Sequence, residues 1–203
     1  MTPPPSTETD PLDPRVARSK TRVLESAREL LTESGAQSLT IERIVDRSGV
    51  AKTTIYRHWN SLAEVMADMV RVHRPPMPEP DLDHGFEHAL RTFVLTYIER
   101  IAVPESSWLI AAMFELNLHM PEVRQASSVE RSQVGEGMRA IIGLGVQEGV
   151  LPADIDPLMV ARLLSGPSIV SLLGGEAEVA VEMARYALDR FLVSYGVTAC
   201  GSD

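Results

Sequence analysis

The sequence predicts an all-α protein of about nine helices, four before a proline-rich segment and five after it. Apolar residues recur at helical spacing in nearly every segment, and the segments end at glycine or proline. No stretch shows the apolar–polar alternation of a strand. Of the 203 residues, 44% are hydrophobic and 23% charged, which allows a sizeable core and excludes a disordered chain.

The composition also limits the class of protein. The single cysteine, Cys200, excludes a disulfide scaffold. No apolar run reaches the roughly 18 residues that a membrane span needs. The first residues, MTPPPSTETDPLDP, have no apolar stretch typical of a secretory signal. We therefore expect a soluble, cytoplasmic protein.

The chain opens on a polar segment and a long helix. Residues 1–14 contain five prolines and almost no apolar side chains, so we expect them to be disordered. A helix is predicted over residues 19–35, ending at Gly35 in a left-handed cap. Its apolar residues recur at helical spacing: Val23, Ala27, Leu30 and Leu31.

Three shorter helices follow, at about residues 40–47, 51–58 and 61–72. The Thr40 hydroxyl can cap the first of them. Gly49 lies in the short break between the first and the second, where it can take a positive φ at low cost. Ser61 and Glu64 form a capping box at the start of the third.

The segment RPPMPEPDLD contains four prolines and predicts a linker or a sharp turn. Beyond it, helical patterns occupy residues 83–102, 105–118, 121–148, 157–173 and 176–195. We expect Gly166-Pro167 to bend or break the fourth pattern. The predicted domains are a helix-turn-helix domain at residues 15–74 and a second helical domain at residues 75–203.

Charge is divided unevenly along the chain. The formal net charge of −9 alone argues against a nucleic-acid partner. However, residues 1–14 sum to −3, residues 15–74 to +4 and residues 75–203 to −10. A basic segment attached to an acidic one indicates two separate functions, the first of which would involve phosphates.

The segment TIERIVDRSGVAKTTIYRHW, residues 40–59, has the spacing of a helix-turn-helix. Four apolar residues would fix its crossing angle: Ile44, Val45, Val50 and Ile55. The outer face of the second helix would then be free for a ligand: Lys52, Thr53, Thr54, Tyr56, Arg57 and His58. Lysine and arginine neutralise phosphate, and hydroxyls bond to phosphates or base edges. No acidic residue lies between Ser48 and Ala63, which suits a polyanion. A helical hairpin inside an ordinary bundle is the alternative.

At these residues the chain resembles the TetR family of bacterial transcriptional regulators. The similarity covers about residues 20–72, through RVLESARELLTESG, LTIERIVDRSGVAKTTIYRHW and SLAEVMADMV. The run from Gly49 to Trp59 is its most specific part. The resemblance implies a homodimeric repressor, whose C-terminal domain binds a small effector and whose N-terminal domain binds a palindromic operator in double-stranded DNA.

The resemblance also implies roles for single residues. The helix led by Thr40, with its hydroxyl at the phosphates, would support the recognition helix. Lys52, Thr53 and Thr54 would open that helix near the bases, while Tyr56 and His58 would contact the backbone. Leu62 departs from the family, which usually has a phosphate-binding lysine three residues after the aromatic residue at Trp59. That departure removes one anchor, or shifts the contact to Arg57.

The acidic second domain is predicted to contain the dimer interface. Arg162 is the only charged residue of 157–173, and the polar residues of 176–195 form a narrow stripe of Glu178, Glu182, Arg185 and Asp189. Helices apolar around most of their circumference must be covered on more than one side. We infer a two-fold four-helix interface. Burial of both helices inside the monomer is the alternative.

The effector would be small and largely apolar, since few charges fall on the inward faces. Candidate effector-binding residues come from the preceding helices: Phe93, Tyr97, Trp108, Met113, Phe114 and Met138, with Phe86 beside them. Such side chains serve equally well as packing, so the sequence leaves pocket and core as alternatives for each.

Other chemistries find little support. His84 and His88 lie beside Asp81, Asp83 and Glu87 at a spacing that can hold a metal on a helix, but the polar setting favours solvated side chains. We expect no metal, cofactor or catalytic residues. Two other classes stay open: a protein that binds or sequesters a small molecule without binding DNA, and a helical protein–protein adaptor.

Overall fold

The computed structural model describes residues 14–120, 123 and 128–197 of the chain. Within these ranges the regular structure consists of helices, without strands, and the all-α prediction is confirmed. The nine α-helices described are α1 (Pro14–Ser34), α2 (Ile41–Ser48), α3 (Lys52–His58), α4 (Leu62–His73), α5 (Phe86–Ala102), α6 (Pro104–His119), α7 (Ser128–Gln147), α8 (Pro157–Leu173) and α9 (Ala177–Ser194). A short 3-10 helix, Ala36–Ser38, lies in the connection between α1 and α2.

Helix α1 begins at Pro14, five residues before its predicted start and at the last residue of the segment expected to be disordered. Proline is suited to a first helical position, because the amide that it lacks would have no partner there. The other residues of that segment, 1–13, lie outside the described part of the chain. The helix ends before Gly35, whose φ of 75° is positive but whose ψ of 166° is not that of a left-handed cap.

The chain divides into two compact units, with the division between Met69 and Val70, inside α4. The sequence predicted the domain boundary after residue 74. At the start of α4, the Ser61 hydroxyl accepts a hydrogen bond from the amide of Glu64 at 3.2 Å. The Glu64 carboxylate accepts one from the amide of Asn60 at 2.8 Å, rather than from Ser61 as a capping box would require.

The C-terminal unit contains the five predicted helices with small shifts at their ends. The pattern expected over residues 121–148 is described as a helix from Ser128, and residues 121–122 and 124–127 lie outside the description. The unit is built around α5, whose Leu90 and Ile98 are fully buried, as are Leu164 of α8 and Leu188 of α9. No helix in the described ranges has both the length and the apolarity to cross a bilayer.

Two glycines allow α7 to lie close against α5. A Cβ at Gly137 would come within 2.6 Å of the Phe93 ring, and one at Gly145 within 2.7 Å of the Phe86 ring. Glycine inside a helix costs about 1 kcal/mol relative to alanine. Here it provides the space that the two phenylalanine rings occupy.

Part of the polar stripe of α9 makes polar contacts inside the C-terminal unit. Asp189 accepts a hydrogen bond from Arg91 of α5 at 2.7 Å, and Arg185 lies 3.6 Å from Glu99 of the same helix. The stripe therefore faces α5 along part of its length. Arg190 adds a further charge, with its guanidinium over the exposed ring of Tyr186.

Of the two expected outcomes at Gly166-Pro167, a bend or a break, the break does not occur, since helix α8 continues from Pro157 to Leu173 with Pro167 inside it. The Asp156 carboxylate caps its first turn by accepting hydrogen bonds from the amides of Leu158 and Met159. Proline removes one intrahelical hydrogen bond, and packing on both sides of Pro167 keeps the helix together. Val160 and Leu164 precede it in the core, and Ser168 and Leu172 follow.

Large apolar side chains of α8 and α9 remain exposed in the described chain. On α8 they recur on one side of the helix, at Met159, Leu163, Val170 and Leu173. On α9 they recur every seven residues, at Val179, Tyr186 and Val193. We call these seven residues the α8–α9 face. In the described residues, α8 and α9 are therefore not fully buried within the monomer.

Candidate DNA-binding and effector sites

Local backbone chemistry sets the geometry of the helix-turn-helix. The Thr40 hydroxyl caps α2 by accepting a hydrogen bond from the amide of Arg43 at 3.2 Å. Gly49 ends α2 in the left-handed conformation, with φ 64° and ψ 16°, and its amide donates to the Val45 carbonyl at 2.8 Å. An L side chain is disfavoured at this φ, so the tight turn into α3 depends on glycine.

Helix α3 has one buried side and one exposed side. Ile55 is fully buried, together with Ile44 of α2, and Trp59 just after the helix is 4% exposed. Val50 is buried and Val45 half-buried, so the predicted apolar wedge is present. The candidate DNA-contacting residues divide by exposure: Lys52, Thr53, Tyr56 and Arg57 are exposed, as is Thr40, while Thr54 and His58 are half-buried.

Lys52 is already paired with an acidic residue in the unbound protein. Its Nζ lies 2.5 Å from Oε1 of Glu42 on α2 and 5.9 Å from the centre of the Tyr56 ring. The pairing raises the pKa of Lys52 and lowers the pKa of Glu42, in both cases chiefly through the side-chain hydrogen bond. The segment from Ser48 to Ala63 has no acidic residue of its own, but Glu42 of the neighbouring helix places a carboxylate beside it.

His58 faces inward more than the sequence suggested. Its Nε2 is buried and has no hydrogen-bond partner, and its ring meets the Trp59 ring edge-on at 5.8 Å. Burial lowers the pKa of His58, and the positive charges of Lys20 and Arg57 lower it further. The neutral imidazole is therefore the favoured form without DNA.

Helix α1 supports the motif through contacts that the sequence analysis did not foresee. The Arg22 guanidinium donates to the Ser48 carbonyl at the end of α2. Arg47 of α2 bonds to Glu33 at 2.6 Å and to Glu29 at 3.2 Å, which raises the pKa of Arg47. These cations hold the motif together, so they are less available to phosphate. The spacing of Glu29 and Glu33 by four residues was a usable signal, because it puts both on one side of α1.

The region after α3 is held by a different contact. The Trp59 indole donates to Asp68 of α4 at 2.8 Å, and the Lys20 ammonium lies 5.8 Å from the indole ring centre. Leu62, where the family usually has lysine, is the half-buried first residue of α4. Arg57 has no ion-pair partner within the described part of the chain.

The six candidate effector-binding residues do not gather around one described cavity. Phe93 and Met138 belong to the buried core, Tyr97 packs against it, Trp108 and Met113 are half-buried, and Phe114 is 50% exposed. A groove of about 550 Å³ lies elsewhere in the C-terminal unit. Its lining consists of Pro76, Met77, Pro78, Glu79, Pro80, Glu136 and Gly137.

The wall of this groove comes from the proline-rich segment, which is anchored to the C-terminal unit. Arg100 of α5 donates to the Pro76 carbonyl at 2.6 Å, and Met77 packs against the core. The groove also lies next to one predicted residue, because the Phe93 ring occupies the space where Gly137 has no side chain. The sequence did not predict this wall, because the proline-rich segment was interpreted as a linker or a turn and not as residues that line a groove.

Comparisons with known proteins agree with this architecture. Residues 23–69 match the model of the family described as bacterial regulatory proteins, tetR family, and these residues include the whole helix-turn-helix. The HTH-type transcriptional regulator YdeS of Bacillus subtilis is 23% identical over 164 residues, which are 79% of this chain and 81% of that protein.

Solved structures extend the similarity to the C-terminal unit. SmeT, the repressor of the Stenotrophomonas maltophilia multidrug efflux pump SmeDEF, is 26% identical, with a TM-score of 0.65 over 90% of this chain and 94% of SmeT. A TetR-family regulator from Syntrophomonas wolfei is 14% identical, with a TM-score of 0.67 over 92% of this chain and 99% of its own. The second likeness concerns the fold alone.

Proposed function

This chain is a DNA-binding transcriptional regulator of the TetR family, and from that premise we propose a homodimeric repressor that releases a palindromic operator on binding a small, largely apolar effector. The observation that supports this most directly is the exposed polar side of α3 on a helix-turn-helix. Repression is proposed by analogy with SmeT. The family is one of regulators, which are not enzymes.

In the proposed complex, α3 enters the major groove. Thr53 and Thr54 would face base edges near its start, since hydroxyls and methyl groups suit both base hydrogen bonds and thymine methyls. Tyr56 and Arg57 would contact phosphates, which fix the orientation of the protein on the duplex. Lys52 would reach DNA by exchanging Glu42 for phosphate. The amide end of α2, capped by Thr40, would lie at the backbone.

The α8–α9 face supports the proposed dimer. Its apolar residues are exposed on two neighbouring helices, and exposed apolar groups of this kind mark interaction sites. Two copies related by a two-fold axis would bury the same residues against each other in a four-helix arrangement. Two α3 helices would then meet successive major grooves, about 34–36 Å apart.

The groove beside Met77 and Gly137 is the proposed effector site. Prolines and a methionine give it an apolar wall, and Glu79 and Glu136 favour positive charge on the ligand. An effector would favour a dimer whose α3 helices are spaced differently, so its binding and operator binding would oppose each other reciprocally.

Selection of bound sequences from a random duplex pool tests the DNA-binding proposal. We expect an inverted repeat whose half-sites lie one helical turn apart, or a multiple of it. Tyr56→Ala and Arg57→Ala should weaken binding of that sequence, while Arg139→Ala, an exposed arginine of the C-terminal unit, should bind like the native chain.

Three outcomes would contradict the proposal. One is the absence of any enriched sequence at low salt while a small molecule still binds, which would indicate a sequestering protein. The second is equal binding by the native chain and the two α3 variants, which would move the interface away from α3. The third is a stable protein partner without a bound small molecule, which would indicate an adaptor.

A further inference from the structure

Three potential metal ligands converge just before α5 and in its first turn. The Nδ1 of His84 lies 2.9 Å from Oδ2 of Asp81, and Nε2 of His88 lies 3.5 Å from the same oxygen. One ligand atom from each of the three residues falls within 4.8 Å of the other two. The sequence analysis took these side chains as merely solvated, since the spacing alone did not show that they meet.

The backbone explains why they meet. His84 lies outside the helix, and Gly85, with φ 84°, turns the chain so that His84 and His88 share one side of the helix start. The Glu148 carboxylate accepts hydrogen bonds at 3.2 Å from the amide of Phe86, which holds the first turn of α5 in place. The backbone that carries the two imidazoles is therefore held by a contact outside the cluster, and the ring centres lie 5.1 Å apart.

We propose that Asp81, His84 and His88 bind a divalent transition-metal ion of the zinc type, with one coordination position open. Zinc bonds to imidazole nitrogen and carboxylate oxygen at about 2.0–2.2 Å, so tetrahedral ligand atoms lie about 3.3 Å apart. The two distances to the Asp81 oxygen, 2.9 and 3.5 Å, bracket that value. The two imidazole nitrogens lie within 4.8 Å of each other, and side-chain rotation would bring them to the same separation.

The acidic surroundings favour the binding of a cation, and the types of ligand indicate which class of metal ion it is. Residues 79–88 contain four acidic residues and neither lysine nor arginine. Two imidazoles with one carboxylate suit zinc and its neighbours, whereas Mg²⁺ and Ca²⁺ prefer all-oxygen sites. The bound ion would link the segment before α5 to the first turn of that helix. The exposure of His84 and His88 gives the ion access from solvent.

Zinc titration of the full chain, purified without a histidine tag and treated with a chelator, tests the site. In competition with a chromophoric chelator we expect one Zn²⁺ per chain, and no displacement by millimolar Mg²⁺. Asp81→Asn, His84→Gln and His88→Gln should each weaken binding at least about tenfold, since even outer residues of metal sites have effects of that size. His119→Gln is the matched control and should bind like the native chain.

Co²⁺ gives a second readout that does not depend on affinity alone. The native chain should develop the visible absorption of four-coordinate Co²⁺, and the His84→Gln/His88→Gln variant should lose it. Circular dichroism should be unchanged, because both side chains are exposed. The proposal is overturned if Zn²⁺ binds equally well to that double variant, if His119→Gln abolishes binding, or if the native chain binds no Zn²⁺.

Discussion

At the scale of single residues, the pair of Lys52 and Glu42 controls how much positive charge α3 presents. We expect Glu42→Gln to tighten DNA binding severalfold at low salt, because Lys52 no longer has to leave a carboxylate and the surface loses one repulsive charge. The slope of log affinity against log salt should steepen by up to about one, the value for one added phosphate contact. Fluorescence anisotropy on the selected operator, measured across a salt series, gives both quantities.

Arg43→Gln on the same helix is a comparison variant that changes the charge of α2 without removing either partner of the Lys52–Glu42 pair. Arg43 donates to the Ser38 carbonyl and to the Ser34 hydroxyl, so its loss should lower stability rather than tighten binding. Weaker binding by Glu42→Gln would mean that Glu42 positions Lys52 for DNA instead of competing for it.

The buried Nε2 of His58 makes the N-terminal unit sensitive to acid. Because burial holds the pKa of His58 below its usual 6.5, the unfolded chain takes up this proton at a higher pH than the folded chain. Stability from this residue is therefore complete above the unfolded pKa and decreases as the pH falls through about 6.5. The slope cannot exceed about 1.4 kcal/mol per pH unit for one proton.

His58→Phe keeps a ring beside Trp59 and cannot be protonated. Denaturant unfolding of both proteins at about pH 7.5 and about pH 5, on either side of an ordinary histidine pKa, should show a smaller loss of stability for the variant. Equal losses would place the acid sensitivity on other groups.

Sequence and structure agree at some residues whose role is local, although not at Gly35 or Glu64, and they differ where the role depends on distant contacts. The Thr40 cap and the Gly49 turn could be predicted because each concerns backbone groups within four residues. The Lys52–Glu42 pair could not, because it joins two helices whose crossing angle the sequence does not specify. The inward turn of the His58 ring depends in the same way on packing around Trp59.

At the scale of helices, α7 offers a matched pair of glycines. A Cβ at Gly137 would lie 2.6 Å from Cζ of Phe93, whereas one at Gly143 would meet nothing within 4 Å. Gly137→Ala should lower the free energy of unfolding by about 1–3 kcal/mol, the usual cost of overpacking. Gly143→Ala should leave it unchanged or raise it by up to about 1 kcal/mol through helix propensity.

Denaturant unfolding of the two variants measures this difference directly. Phe93→Leu combined with Gly137→Ala should recover part of the loss, because the smaller side chain makes room for the methyl group. Equal stabilities of the two single variants would show that α5 and α7 can move apart at no cost.

Helix ends were predictable to within a few residues because glycine and proline mark them. Pro104 and Pro157 each begin a helix, as first-turn prolines do. Pro167 shows the limit of such local rules, since packing outweighs the hydrogen bond that it removes. The glycines of α7 were a further unused signal, because glycine inside a helix commonly indicates close approach of another element.

At the scale of the whole molecule, the α8–α9 face predicts the oligomeric state. Leu163→Glu with Val170→Glu places charge where the proposed two-fold contact is apolar, and the chain should sediment as a monomer. Leu118→Glu changes a side chain of α6 that is 77% exposed, and this control should remain a dimer. A dimeric double variant would move the interface elsewhere.

The same scale shows what the sequence could and could not predict. The all-α class and the helices of the described ranges followed from periodicity, and the resemblance at Gly49–Trp59 led to the family. The net charge of −9 was misleading as an average, since residues 15–69 of the first unit sum to +2 and residues 70–203, the second unit, sum to −8. The groove was not predictable, because its wall brings residues 76–80 next to Glu136, far along the chain.

The contact of two phenylalanines with two glycines also restricts how this regulator can diverge. Phe93 with Gly137, and Phe86 with Gly145, are pairs in which neither partner can change freely while the other stays. Among relatives that keep this arrangement of α5 and α7, a side chain at the position of Gly137 should appear together with a smaller residue at the position of Phe93. Covariation at these two pairs would then show that distant relatives keep the same packing of α5 against α7, even where their overall sequence identity is too low for a simple alignment.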